Sequence, residues 1–219
     1  MATSSLESLR PETSVCHGIG EPRGRFFWHI KRGVDIGLSL LALPILAMIT
    51  VWLLLLNPLF NRGPLVFKQR RMGRYQSEFT ILKFRTMAPS ASIARGAGDP
   101  VEMDRITPLG YWLRRLRIDE LPQIINVLRG EMSLIGPRPD YIEFARDYSD
   151  SVPSYRHRHT VRPGISGYAQ VCMGYAEGYA LAERKAQLDL YYIENAGWRL
   201  ESWILARTFA VLVSGFGAR

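Results

Sequence analysis

Cysteine is scarce in this chain: Cys16 and Cys172 are the only 2 in 219 residues, and they lie far apart. They fit no zinc-ligand spacing and build no disulfide framework, which favours a reducing compartment. Acids are in deficit too. Against 28 Lys and Arg stand 20 Asp and Glu, a formal charge of +8. Such an excess implies an anionic partner, whether nucleic acid, anionic lipid or a phosphorylated substrate. No internal repeat occurs, which excludes a repeat architecture. No DNA-binding motif is present, and the basic residues are spread over turns and strand ends, so nucleic acid is not the expected partner. A cleaved signal peptide is a poor fit, because the apolar run starts late and lacks a small-residue cleavage site.

What is there fits one domain with appendages. The hydrophobic share is 47% and the charged share 22%, ordinary values for a globular chain. Residues 1–24 are rich in Ser, Pro, Gly and Glu and are expected to form a disordered cytoplasmic tail. Residues 25–60 are expected to hold the membrane segment, and 61–219 a cytoplasmic domain.

The apolar run from Val34 to Leu56 carries a single charge, Asp35 at its edge. It is about the length needed to cross a bilayer. Two features favour a re-entrant path. Pro44 near its middle removes a backbone donor and clashes with the preceding turn. Arg23, Arg25, Lys31 and Arg32 precede the run, while Arg62, Lys68, Arg70, Arg71 and Arg74 follow it. The positive-inside bias keeps both flanks in the cytoplasm. A kinked spanning helix is the competing reading.

"GPLVFKQRRMGR" and "SEFTILKFRTM" read as two strands joined by a Gly-containing turn. In the second, Phe79, Ile81, Lys83 and Arg85 share one face. Lys83 and Arg85 then stand about 7 Å apart, a spacing that could span a diphosphate. A solvated strand end explains the same charges. Residues 88–104 read as a long polar loop. Thr107 is a plausible N-cap with Pro108 at the first helical position, and Arg114, Arg115 and Arg117 crowd that helix's end.

"RIDELPQIINVLRG" places Asp119 beside Glu120. Asp119 is expected to cap a helix with Pro122 in its first turn and Gly130 just past its end. Plain helix capping accounts for both acids. The same geometry also favours phosphate and an ionised carboxylate, and the nearby arginines act in the same direction. Such an Asp can attack phosphorus. Glu120 would point about 100° away around the helix and could take a second role.

"GPRP" at 136–139 is a rigid turn presenting Arg138, suited to clamping a phosphate. His157 and His159 have no further soft ligand nearby, which leaves metal ligation by them a minor reading. "ISGYAQV" reads as a strand. The C-terminal part reads as two helices parted near Asn195-Ala196-Gly197, the last an interfacial amphipathic helix with Trp198 and Trp203 at headgroup depth, or a core helix.

Taken together, "FKQRRMG", "FTILKFRTM", "RIDELPQIINVLRGEMSLIGPRP" and "RHTVRPGISGYAQV", after a proline-broken apolar segment, resemble the bacterial sugar transferase family, the monotopic phosphoglycosyl transferases. The resemblance runs from about Lys31 to Val213. It implies an α+β fold: a small, mostly helical catalytic domain with a short β-hairpin, a re-entrant membrane helix and amphipathic interfacial helices. It implies transfer of a sugar-1-phosphate from a UDP-sugar to polyprenyl phosphate, with release of UMP and assistance by Mg²⁺. Asp119 would be the nucleophile, forming a covalent phospho-sugar adduct, and would face the metal. Glu120 would be the partner acid/base or help place the metal. Lys83, Arg114 and Arg138 match positions near the phosphates and nucleotide, with Arg85 a weaker addition. Pro44 would be the membrane break. The setting implied is the cytoplasmic leaflet of the bacterial inner membrane, and a homo-oligomer is compatible with it. The chain departs from the family pattern at Leu43, where Ser is usual, at Cys172-Met173-Gly174-Tyr175, where Asn-Gly-Arg is usual, and at Glu201, where Asp is usual.

Two other readings compete. A basic membrane-anchored protein binding anionic lipid or nucleic acid would show steep salt dependence. A glycoside hydrolase would need its carboxylates set apart across a glycosidic bond, which adjacent residues do poorly.

Overall fold

The computed structural model describes residues 24–61, 63–89, 102–173 and 179–214. The expected N-terminal tail and most of the loop at 88–104 lie outside the described residues.

The apolar run forms one helix, α1, Arg25–Phe60, with Pro44 and Pro58 inside it. The expected break at Pro44 is not seen as an end of the helix, which continues through it. Neighbouring turns keep their own hydrogen bonds, so one missing donor need not terminate so long an apolar helix. At 36 residues it spans about 54 Å, more than a bilayer's hydrocarbon core. Its buried positions form one stripe: Phe27, Lys31, Asp35 and Ser39, then Leu46, Leu53 and Asn57. Steps of four and seven keep those residues on one face. Leu41, Ile45, Trp52, Leu55 and Leu59 stand exposed around the rest.

Both ends of α1 are tied to the same domain. At the start, buried Lys31 donates to Glu201 at 2.9 Å, and Ser133 donates to Asp35 at 2.7 Å. In the second half, Leu46 and Leu53 join a cluster with Phe84, Leu113 and Ile124. Just past the end, the Asn61 amide donates to the Arg85 carbonyl at 2.7 Å.

The expected hairpin is present. β1, Val66–Met72, pairs antiparallel with β2, Glu78–Phe84, in a register running from Val66 opposite Phe84 to Met72 opposite Glu78. Helix α2, Pro108–Arg115, starts as expected: Thr107 Oγ1 accepts from the Gly110 N–H at 3.0 Å. Gly110 is required there, because a Cβ would sit 2.0 Å from the Thr86 carbonyl oxygen. Helix α3, Gln123–Leu128, packs on β2 through Val127, which joins Met132 beyond the helix end against Phe79 and Ile81. Buried Asn126 fixes the pair. Its amide donates to the Thr80 carbonyl at 2.8 Å, and its oxygen accepts from the Leu82 N–H at 3.1 Å. One side chain thus satisfies backbone groups that a third strand would otherwise pair.

A second sheet is unanticipated. β3, Ser133–Ile135, pairs parallel with β4, Gly164–Ser166. A Cβ on Gly164 would lie 2.1 Å from the Gly136 nitrogen, so glycine alone lets these segments meet. The expected strand "ISGYAQV" is corrected: it ends at Ser166, and Tyr168–Met173 form helix α5. Helix α4, Ile142–Ser151, buries Ile142, Ala145 and Tyr148. The C-terminal part divides as expected into α6, Tyr179–Glu194, and α7, Trp198–Ser214. α7 buries Leu200, Glu201 and Ile204 and exposes Trp198, Leu205 and Phe209. The described residues form a mixed, mostly helical fold with two small sheets and one long apolar helix.

Candidate active site

The acid pair lies in a 3₁₀ turn, Ile118–Glu120, rather than at the cap of α3. This corrects the expectation for Asp119: α3 begins at Gln123, with Pro122 preceding it. The chain enters the turn through Arg117, held left-handed at φ 56°. That is an unfavourable conformation for a side chain with a Cβ, and it redirects the backbone so that both acids turn inward. Asp119 and Glu120 are each only 7% exposed. At the other end, Gly130 takes the expected positive φ, 85°.

Three cations converge on Glu120. Lys83 Nζ donates to Oε1 at 3.0 Å. Arg138 Nη2 donates to Oε1 at 2.6 Å and Nη1 to Oε2 at 3.3 Å, a bidentate grip. Arg117 Nη1 lies 3.8 Å from Oε1. Burial alone would raise the Glu120 pKa, but Arg138 and Lys83 outweigh it and hold this carboxyl well below the usual range. Lys83 in turn is lowered by burial, with Glu120 acting against that.

Asp119 differs. Burial, and then the charge of Glu120, push its pKa up to about 6, with Lys83, Arg114 and Arg138 pulling the other way. The cations pull as expected, but loss of water outweighs them; at about 6 the group is still largely ionised at neutral pH. Its Oδ1 is buried without a hydrogen-bond partner, as are one Nη of Arg114 and both amide atoms of Gln123. Buried groups left bare cost free energy unless a ligand or water meets them.

Lys83 and Arg138 therefore meet at the acid pair, and Arg114 acts on Asp119. Arg85 does not join them. β2 ends at Phe84, so the two-residue period no longer carries Arg85 onto the face of Lys83. Its guanidinium donates to the carbonyls of Pro64 at 2.7 Å, Met87 at 3.1 Å and Asn61, fastening the exit of α1 to the hairpin.

The loop carrying Arg138 is held from behind. Buried Arg158 donates to the Arg138 carbonyl at 2.6 Å, to Asp189 at 2.8 Å and to Asp140. Lys185 and Tyr155 each donate to Asp140 at 2.5 Å. Burial opposes the charge on Asp140, yet Lys185 and Arg158 keep its pKa far below normal. Sequence reasoning missed Asp140, Arg158, Lys185 and Asp189, because contacts across 31 and 45 positions leave no periodic trace. Arg117 and Gln123 were also missed; the surplus of arginines before the acid pair was the available signal for Arg117. His157 is exposed, whereas buried His159 is pushed down to about 3 by burial and the Arg158 charge.

No group of three or more His, Cys, Asp or Glu side chains gathers to hold a metal among the described residues. Magnesium commonly uses one or two carboxylates and completes its shell with water and substrate phosphate. The bare Oδ1 of Asp119 fits that limited role, while both oxygens of Glu120 are already engaged.

The fold thus brings a buried acid pair and its cations together on a domain fastened to one long apolar helix. Residues 26–215 match the family model for bacterial sugar transferase, and the chain belongs to that family. It is 42% identical over 191 residues to the UDP-N-acetylgalactosamine-undecaprenyl-phosphate N-acetylgalactosaminephosphotransferase of Aeromonas hydrophila, covering 87% of this chain and 45% of that one. It is 40% identical over 172 residues to the exopolysaccharide production protein PSS of Rhizobium leguminosarum bv. phaseoli, covering 76% and 86%. It is 37% identical over 191 residues to the UDP-glucose:undecaprenyl-phosphate glucose-1-phosphate transferase of Caulobacter vibrioides, covering 84% and 70%. The chain thus spans about half the length of the first of these relatives and most of the second.

Proposed function

We propose that this chain transfers a sugar-1-phosphate from a UDP-sugar to polyprenyl phosphate and releases UMP, in the synthesis of a surface polysaccharide or glycoconjugate. The observation that carries the reading is the contrast inside the acid pair. Glu120 is ionised and locked by Lys83 and Arg138, while Asp119 keeps a bare oxygen beside the same cations.

In the first half-reaction the ionised Asp119 attacks the sugar-bearing phosphorus. A carboxylate–phosphorus bond forms, the diphosphate P–O bond breaks, and UMP leaves. In the second, a phosphate oxygen of the lipid attacks the same phosphorus. The lipid diphosphate-sugar forms and Asp119 is released. Lys83, Arg114 and Arg138 line the path of the phosphates and offset charge that builds on their oxygens. Glu120 orients Lys83 and Arg138 and sets the potential that Asp119 feels. Bound Mg²⁺, held by Asp119 and substrate phosphate, would supply further charge neutralisation.

The membrane reading rests on α1, a 35-residue span whose most apolar 18 residues have a mean hydropathy of 2.5 and which is long enough to cross a bilayer. Both of its ends are held by one domain, through Lys31–Glu201 and Asn61–Arg85. That arrangement favours a segment entering and leaving on the same side, with Pro44 easing the bend. Exposed Tyr111 and Trp112 of α2, and Leu205 and Phe209 of α7, suit headgroup depth at the cytoplasmic leaflet of the inner membrane.

The test is UMP release from UDP-N-acetylgalactosamine and UDP-glucose with undecaprenyl phosphate present. Turnover that vanishes in Asp119→Asn is expected. Near-normal turnover in that variant would remove Asp119 as the nucleophile.

A further inference from the structure

The hairpin tip and the far end of α3 enclose a second basic cleft. Its volume is about 320 Å³, and its lining includes Arg74, Tyr75, Arg129 and Arg162. A narrower cavity continues past Arg74 and Arg162 to Arg32. α3 separates this cleft from the reaction centre: the acid pair precedes its start, and Arg129 and Gly130 follow its end.

Among the described residues, none of these arginines is bridged to a carboxylate. Arg162 Nε donates to the Gly130 carbonyl at 2.8 Å, and Arg74 Nε to the Thr160 carbonyl at 3.0 Å. Arg32 donates to the Leu128 and Met132 carbonyls at 3.3 and 3.4 Å. These bonds fix the guanidiniums in place but neutralise none of them. Two carboxylates, Glu78 and Glu131, share the lining. Glu78 is held by Arg70 and Arg146, and Asp35 nearby is bonded by Ser133 and Lys31. Glu131 accepts from the neutral Asn126 amide and keeps its charge, so one uncommitted carboxylate stands against Arg32, Arg74, Arg129 and Arg162. Burial and the facing charges of Arg32 and Arg74 lower the Arg162 pKa, a sign of like charges facing one another.

Capping the last carbonyls of α3 would explain Arg32 and Arg162. It does not explain Arg74, which reaches the Thr160 carbonyl instead, or Arg129, which is exposed. Nor does it explain Tyr75. That residue is left-handed at φ 55° and 71% exposed, with the Arg74 guanidinium 4.4 Å from its ring. A strained, exposed aromatic backed by arginine belongs at a binding surface more than in a scaffold.

We propose that this cleft is a second anion site, separate from the reaction centre, that takes a phosphate or phosphodiester group. Guanidiniums in fixed forks suit phosphate oxygens, and among the described residues the four arginines outnumber the single uncommitted carboxylate, Glu131, which leaves positive charge for the ligand. Arg32 belongs to the helix that carries the apolar run, so a lipid headgroup and a soluble phosphate are both within its chemistry.

Equilibrium dialysis of the full chain in phosphatidylcholine nanodiscs against radiolabelled inorganic phosphate tests this. The double variant Arg74→Ala/Arg129→Ala removes two solvent-reaching cations that hold no core contact. It should lose one phosphate site, or weaken it at least about tenfold, while UDP binding elsewhere stays within about twofold. Repeating the titration in phosphatidylglycerol nanodiscs distinguishes the sources. Loss of that phosphate site by competition assigns a lipid headgroup, and its retention assigns a soluble ligand. Unchanged phosphate stoichiometry in the double variant overturns the proposal. So does a parallel loss of UDP binding, which would mean one shared site. Neither result depends on sugar transfer.

Discussion

Two buried charge clusters stand on either side of Arg138, and they are built differently. Behind its backbone, Asp140 and Asp189 face Arg158 and Lys185, two acids against two cations, with Arg158 only 2% exposed. In front, Lys83, Arg138 and Arg117 all press on Glu120, while Asp119 and Arg114 keep bare polar atoms. The rear cluster is balanced in charge and holds a loop still, although Asp189 Oδ1 there is bare as well, so charge balance and not bare atoms separates the two. The front one is unbalanced toward positive charge and leaves its second acid available. A scaffold closes its charges on itself, whereas a site for an anionic substrate leaves some for the ligand.

The largest expected effect separates the clusters by function. Asp119→Asn should lower UMP release by at least about 10³-fold, while Glu120→Gln should lose about 10²-fold, measured as initial rates at saturating UDP-sugar. Equal losses would mean that the two acids share one role.

Next comes stability. Arg158→Met leaves Asp140 and Asp189 short of a buried partner and should destabilise by about 3–5 kcal/mol in urea unfolding. Arg138→Met should instead cost turnover by at least about 10²-fold, with a smaller stability loss, because Lys83 and Arg117 still face Glu120. If both variants moved stability alike, the division into scaffold and site would fail.

The third prediction uses acidity. Because Asp119 titrates near 6 in the folded chain, adduct formation should fall about tenfold per pH unit below that point. The raised pKa also means that the folded state pays to ionise this group. That penalty is absent below the unfolded pKa, grows as pH rises from the unfolded to the folded one, and is constant above it. Asp119→Asn should therefore be more stable than the native chain by up to about 3 kcal/mol at pH 8, with the gap closing by about pH 4. Thermal melts at the two pH values measure it.

The smallest effect is a control that touches neither cluster. Gly130→Ala forces a Cβ into a left-handed position and should cost about 1 kcal/mol with catalysis per folded molecule unchanged.

Much of this was legible from local chemistry. The hairpin, the Thr107 cap, Gly130 and the split at 195–197 all follow from turn residues and short-range pattern. The acid pair and the cations Lys83 and Arg138 were legible by type and context, and the fold brings them within 3.0 Å of one carboxylate oxygen. Arg85 shows where periodicity stops helping: one residue past a strand's end, a side chain answers to the nearest carbonyls. The pair β3–β4 was hidden because three-residue strands have no period, and it depends on Gly136 and Gly164 touching across 28 positions of sequence. The polar stripe of α1 was hidden for another reason. In an apolar run, Asp35 looks like an edge charge until Ser133 is seen to donate to it.

The most direct measurement omits the lipid. The full chain in nanodiscs lacking polyprenyl phosphate is incubated with a UDP-sugar labelled at the sugar-bearing phosphorus. The account predicts up to one label per chain, released by hydroxylamine and mapped to Asp119, with UMP formed in equal amount. A chain that yields UMP when lipid is added, yet never carries label at Asp119, would contradict it.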